Sequence, residues 1–219
     1  MAAIEDELWK KIVSSYVVTG PSEAFPKIKQ QALARALQEW TASCIQAHLK
    51  EIAVGKRFKE TDWTIQFQGR KFIGAMREQE VDVSLGHPRA GLVLAVDPKH
   101  FQSRDSLGKN WKNGHNDLVA FATNLHERFP LCAIGGVISF PEWAATPQDR
   151  RQIYGICSRS IPRERPSNAP GKFEGFALAC YNQNGNLIWP FNNSNSPLTP
   201  ESAFTALANS LYSRTVAIL

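Results

Sequence analysis

The run Leu131 to Phe140, LCAIGGVISF, is apolar almost without interruption. A half-solvated strand alternates polar and apolar side chains, so a continuous run of this kind reads as a strand buried on both faces, with helices needed above and below it. Its neighbours supply them. Leu118, Phe121, Ala122, Leu125 and Phe129 make one apolar helical stripe closed by Pro130, and Thr146-Pro147 opens a further helix through Tyr154 and Cys157.

Upstream, helical spacing runs through Leu8, Ile12 and Tyr16, and again through Ile28, Leu33, Leu37, Trp40, Cys44, Ile45 and Leu49, with Gly20-Pro21 between the two helices. Ser22 with Glu23 offers a cap for the second helix, whose regular part begins after Pro26, and Gly55 ends it. Short connections then predict an antiparallel meander: Trp63 to Phe67, a turn at Gly69-Arg70, Lys71 to Met76, Val81 to Leu85, and Gly91 to Val96 beyond the loop Gly86-His87-Pro88-Arg89. Asn113 to Asn116 reads as a loop and cap before the Leu118 stripe. After the buried strand come a basic loop over Ser158 to Lys172, a hairpin of Phe173 to Tyr181 with Leu187 to Phe191, and a last helix from Thr199-Pro200-Glu201 through Phe204, Leu207 and Leu211. The expectation is an α/β protein: one domain over 1–219, an α/β/α sandwich with a central mixed sheet, its core at about 27–140 and additional elements over 141–219.

A chain of 219 residues that is 43% hydrophobic can bury a core without staples. Cys44, Cys132, Cys157 and Cys180 lie far apart in apolar surroundings with no CxxC pair, as buried reduced thiols do. The amino-terminal segment MAAIEDELWKK has acids where a signal peptide has bases, and no run reaches transmembrane length, so a cytoplasmic protein with no membrane association is expected. The glycines, including Gly135-Gly136, form no phosphate-binding loop, and Ser139 and Ser160 lack a Gly-x-Ser-x-Gly context. A formal charge of +5 is compatible with a polyanionic partner.

The chemistry concentrates in Glu80 to Lys99, EVDVSLGHPRAGLVLAVDPK. Strand alternation points Asp97 and Lys99 to one side and Pro98 to the other, and pairing of the two strands brings Asp82 beside Asp97 at the sheet rim. Asp-Pro is also a common turn opener and a neighbouring lysine is usually solvated, but an acid within Val81-Asp82-Val83 must either face water or carry a cost. Proline inside a strand removes a ladder bond and is tolerable only where pairing stops.

The order helix, meander, helix, strand, with D…DxK on the second and third core strands, resembles the PD-(D/E)xK nuclease superfamily over roughly Gln30 to Phe140. The resemblance implies a restriction endonuclease-like core and a Mg²⁺ ion (Mn²⁺ in its place) held by Asp82, Asp97 and the backbone carbonyl of Pro98. Lys99 would lie near the attacking water, with Glu80 or Glu39 as further acids. Hard cations take oxygen ligands and acidify water, which fits phosphodiester hydrolysis. The function it implies is that of a Mg-dependent DNA endonuclease, a sequence-specific type II restriction enzyme acting on double-stranded DNA as a homodimer. Candidate DNA contacts are Arg104, Lys109, Trp111, Lys112, His115, Arg163 and Arg165, although His115 precedes Asn116 and Asp117, which suit a helix cap, and Trp111 suits a core. A non-catalytic DNA-binding or interaction domain, a nuclease toxin and a repair nuclease are the alternative readings.

Overall fold

The computed structural model describes residues 3–21, 23, 25–53, 64–88, 90–163, 169–188 and 195–215. It is an α/β protein with five helices among those residues and a mixed five-stranded sheet. Helices α1 (Ile4–Ile12) and α2 (Lys27–Ala53) precede a small antiparallel pair, β1 (Arg70–Ile73) and β2 (Glu78–Val81). Strands β3 (Val83–His87) and β4 (Gly91–His100) form an antiparallel hairpin. Helix α3 (Arg104–Arg128) crosses to β5 (Ala133–Pro141), which runs parallel to β4, and α4 (Pro147–Arg159) crosses to β6 (Gly175–Tyr181), parallel to β5. The short β7 (Leu187–Ile188) turns back antiparallel on β6, and α5 (Pro200–Thr215) follows, giving the sheet order β3-β4-β5-β6-β7.

Two apolar cores flank the sheet, as the buried run predicts. Every residue of β5 is buried. One core joins Trp9 of α1, Leu33, Leu37 and Trp40 of α2, and Phe204 and Leu207 of α5 to the sheet. Trp40 centres it, meeting Trp9 edge-on at 5.0 Å and Phe204 edge-on at 5.2 Å. The other joins Leu118, Phe121 and Leu125 of α3 and Ile153 of α4 to Ile134, Ile138 and Phe176 of the sheet. Gly175 lets α5 lie close, since a Cβ there would overlap the Ala203 carbonyl.

Local signals act where they stand in the sequence. Thr146 caps α4 with Pro147 in its first turn, and Asp149 returns the hydrogen bond to complete a capping box. Other expectations are corrected. Helix α3 begins at Arg104, not after Asn116, because the Ser103 hydroxyl accepts from the Ser106 N–H and the Leu107–Trp111 stripe continues directly into Leu118. The buried face of α1 carries Glu5 and Trp9, and Tyr16 lies beyond the helix and is exposed. Among the described residues the segment around Gln66 forms an isolated bridge to Ser84 and no strand. Ser22, Gly55, Trp63 and Arg165 lie outside the described residues.

Arg163 is a further correction. It is 2% exposed and turned inward, donating from Nη1 to Glu174 Oε1 at 3.1 Å and to the Pro130 carbonyl, so it cannot reach a phosphate. Glu174 also accepts from Arg214 Nη1 at 2.7 Å, from the Ile134 N–H at 2.7 Å and from His126 Nε2 at 3.2 Å. Burial alone would raise its carboxyl. The hydrogen bond from His126 and the charges of His126 and Arg214 outweigh that and hold it below the ordinary value. One carboxylate thus ties the end of α3, the start of β5, the segment after α4 and the end of α5. Glu174→Gln leaves buried guanidinium charge uncompensated and is expected to destabilise the protein by about 3–5 kcal/mol in urea unfolding; a loss under about 1 kcal/mol would show that the cluster does not hold these elements together.

Candidate active site at the β3–β4 rim

Asp82 is the one residue between the end of β2 and the start of β3, where the chain leaves the small sheet and enters the large one. Pairing of β3 with β4 begins at Val83 opposite Val96, so beyond Val96 the β3 side of β4 carries no strand partner among the described residues. Pro98 sits in that stretch. The Phe101 N–H donates to the Ser139 carbonyl of β5 at 2.9 Å. Successive residues direct their backbone groups to alternate sides, so Asp97 and Lys99 also face β5 while Pro98 faces the vacated side. The proline therefore removes no ladder bond, and its carbonyl is directed to the side on which Asp82 lies.

The geometry brings three side chains together. The Asp82 and Asp97 carboxyls are within hydrogen-bonding reach of each other, and Lys99 Nζ lies 2.8 Å from Asp97 Oδ2. Asp97 is 7% exposed, and its Oδ1 is buried with no hydrogen-bond partner among the described residues. Burial raises the Asp97 carboxyl to about 6, with Lys99 opposing the rise and the Asp82 charge adding to it. Burial likewise raises Asp82, opposed by a hydrogen bond from Gln38 and the charge of Lys99. An acid held near neutrality in this way is more typical of a functional site than of a scaffold.

Gln38 escaped the sequence reading, which had turned to Glu39. The polar residues Gln31, Arg35 and Gln38, with the small Ala34 among them, recur at helical spacing along one face of α2, and this spacing is the signal that could have found it. With Phe67 and Glu80 those residues line a cleft of about 430 Å³ that has Asp82 in its wall. Glu39 is the next residue on the helix and does not line the cleft. Glu80 does, on the exposed side of β2.

The proposed DNA contacts divide. Arg104, Lys109 and Lys112 are exposed on the first half of α3, the helix that leaves the rim directly after β4. Trp111, 1% exposed, is core beneath them and offers no stacking surface. His115 is also buried: its Nε2 meets Ser160 Oγ at 2.9 Å, its ring packs against Phe176, and burial lowers its pKa, so it is a structural histidine. His100 follows Lys99 on the opposite side of the strand, stacks on Tyr181 with ring centres 6.1 Å apart, and is pushed by burial to about 3, neutral at any ordinary pH.

The donor set at the rim is all oxygen: two carboxylates, the Pro98 carbonyl and the Gln38 amide. Among the described residues no three His, Cys, Asp or Glu side chains converge to hold a metal ion. Such a set suits Mg²⁺ or Mn²⁺, which keep several waters, and not Zn²⁺. The unpartnered Asp97 Oδ1 fits this chemistry, because a buried carboxylate oxygen without a donor is what a cation would satisfy. Compared with known proteins, the chain matches no family model, no curated protein and no solved structure.

The raised Asp97 has a consequence for stability. The folded state holds the Asp97 proton more tightly than the unfolded chain does, so between about pH 4 and pH 6 the unfolded chain loses its proton first and stability falls as pH rises. A rise to about 6 corresponds to a loss of up to about 3 kcal/mol at neutral pH. Asp97→Asn is therefore expected to be more stable than the parent by about 1–3 kcal/mol at pH 7.5, with the difference closing below about pH 4. Urea titrations at the two pH values would contradict this if the variant were less stable at both.

Proposed function

We propose that the protein is a divalent-cation-dependent DNA endonuclease with an α/β/α, restriction endonuclease-like core, its Asp82, Asp97 and Lys99 corresponding to the D…DxK arrangement of the PD-(D/E)xK superfamily. The observation that carries this reading is the meeting of two half-to-fully buried carboxyls and one ammonium where β3 stops pairing, with a carboxylate oxygen that has no partner among the described residues. The element order supports it: α2, the β3–β4 hairpin, the crossover helix α3 and the parallel strand β5 follow as that arrangement requires. The exposed bases of α3 add a surface on which phosphates can lie.

Asp82, Asp97 and the Pro98 carbonyl would hold the cation, with Gln38 fixing the Asp82 carboxyl. A bound Mg²⁺ supplies neutralisation of the charge that develops on the phosphate and lowers the pKa of water. Lys99, about a third exposed and anchored to Asp97, can donate a hydrogen bond to an incoming water or to the departing charge. Arg104, Lys109 and Lys112 grip the backbone electrostatically. Cutting both strands at a symmetric site needs two such centres, which makes a homodimer the working unit, and the elements after β5 provide material for reading bases in a restriction enzyme.

The test is cleavage of long unmethylated DNA in Mg²⁺ or in EDTA. The parent is expected to cut only with the metal, and Asp97→Ala and Lys99→Ala to lose at least about 100-fold in rate while still binding DNA in a salt-dependent way. Discrete fragments would support the restriction reading, and a smear a toxin or repair nuclease. Cleavage by the Lys99→Ala protein at the parent rate would overturn the assignment.

A further inference from the structure

We infer that the cleft between α2 and the segment around Phe67 is a subsite for one unpaired nucleotide of the strand being cut. This deepens the nuclease reading and rests on it. At about 430 Å³ the cleft lies in the range of pockets that enclose a single small molecule, and Asp82 in its wall places whatever it holds next to the reacting phosphodiester.

Its lining is that of a nucleotide site. Phe67 is half buried, anchored by packing against the core under α2 and facing the cleft as an aromatic wall on which a base can stack. Gln31 and Gln68 are exposed amides, each able to donate and accept, the pattern that reads a base edge. Ala34 leaves room where a longer side chain of the α2 stripe would fill the cleft. Arg35, exposed on the same stripe, lines the cleft together with Glu80 and Asp82 and can take a phosphate oxygen that the acids would repel. A paired base keeps both faces stacked in the duplex, so stacking on Phe67 requires a nucleotide that is out of the duplex, and the amides can then reach its Watson–Crick edge as well. The chain thus favours DNA in which the nucleotide flanking the scissile bond is unpaired or easily extruded.

Oligonucleotide duplexes that are fully paired, or that carry a three-nucleotide bubble, separate this from the nuclease reading itself. With Mg²⁺ the parent is expected to cut the bubble substrate at least about tenfold faster in kcat/KM, at or beside the bubble. In EDTA it should bind that substrate correspondingly more tightly by fluorescence anisotropy. Gln68→Ala and Arg35→Ala, both at exposed positions, are expected to shrink the bubble-to-duplex ratio to under threefold with unchanged thermal unfolding. Equal rates on both substrates in the parent, or an unchanged ratio in both variants, overturns the subsite while leaving the nuclease standing. A parent that cuts neither substrate overturns both.

Discussion

A carboxyl taken out of water beside a second acid carries a cost, and the rim of the sheet is arranged around it. Asp97 is nearly removed from water, Asp82 lies within hydrogen-bonding reach of it, and Lys99 stands 2.8 Å from one oxygen while the other has no partner among the described residues. Burial is the main reason Asp97 rises to about 6, with the Asp82 charge adding to the rise and the one ammonium of Lys99 only partly opposing it. The arrangement makes physical sense when a second cation completes it. A scaffold selected for stability alone would have put an amide or an apolar group at this position.

The backbone creates the place. Strand β3 starts one residue after Asp82, so β4 runs past its partner for several residues, and Pro98 can occupy a position that an interior strand would refuse. On the other side β4 stays paired with β5 through Lys99 and His100, which keeps the two catalytic candidates on a rigid element and not on a loop. The Glu174 cluster does the corresponding work at the opposite ends of β5 and β6. It gathers His126, Arg163 and Arg214 from three segments and absorbs an arginine that, by sequence, belonged to a basic surface loop.

Much of the fold was legible because the informative residues act locally. The apolar run of β5 and the Thr146-Pro147 start of α4 each carry their meaning within a few neighbours, whereas the loop expected at Gly86 to Arg89 begins later, since Gly86 and His87 still pair within β3. The failures are residues whose partners are distant in sequence. Arg163 is buried by Glu174 and the Pro130 carbonyl, His115 by Ser160 and Phe176, and nothing near either residue announces those contacts. The α3 start was missed because Asn113 to Asn116 look like a loop and cap, although Asn113 and Asn116 lie on the exposed side of a helix that is already under way. At the site, strand alternation put Asp97 and Lys99 on one side and pairing of the hairpin brought Asp82 near them, although Asp82 lies between β2 and β3 and not within a strand. Gln38 was missed because the face of α2 that meets the rim depends on tertiary packing.

The central claim is that the rim holds a divalent cation between Asp82 and Asp97. Isothermal titration of Mn²⁺ into the DNA-free protein, compared with the Asp97→Asn variant at pH 7.5, tests it without reliance on any substrate. The account predicts a saturable site in the parent, competed by Mg²⁺, that the variant loses while remaining folded. Equal binding by the two proteins, or none by the parent, would contradict it.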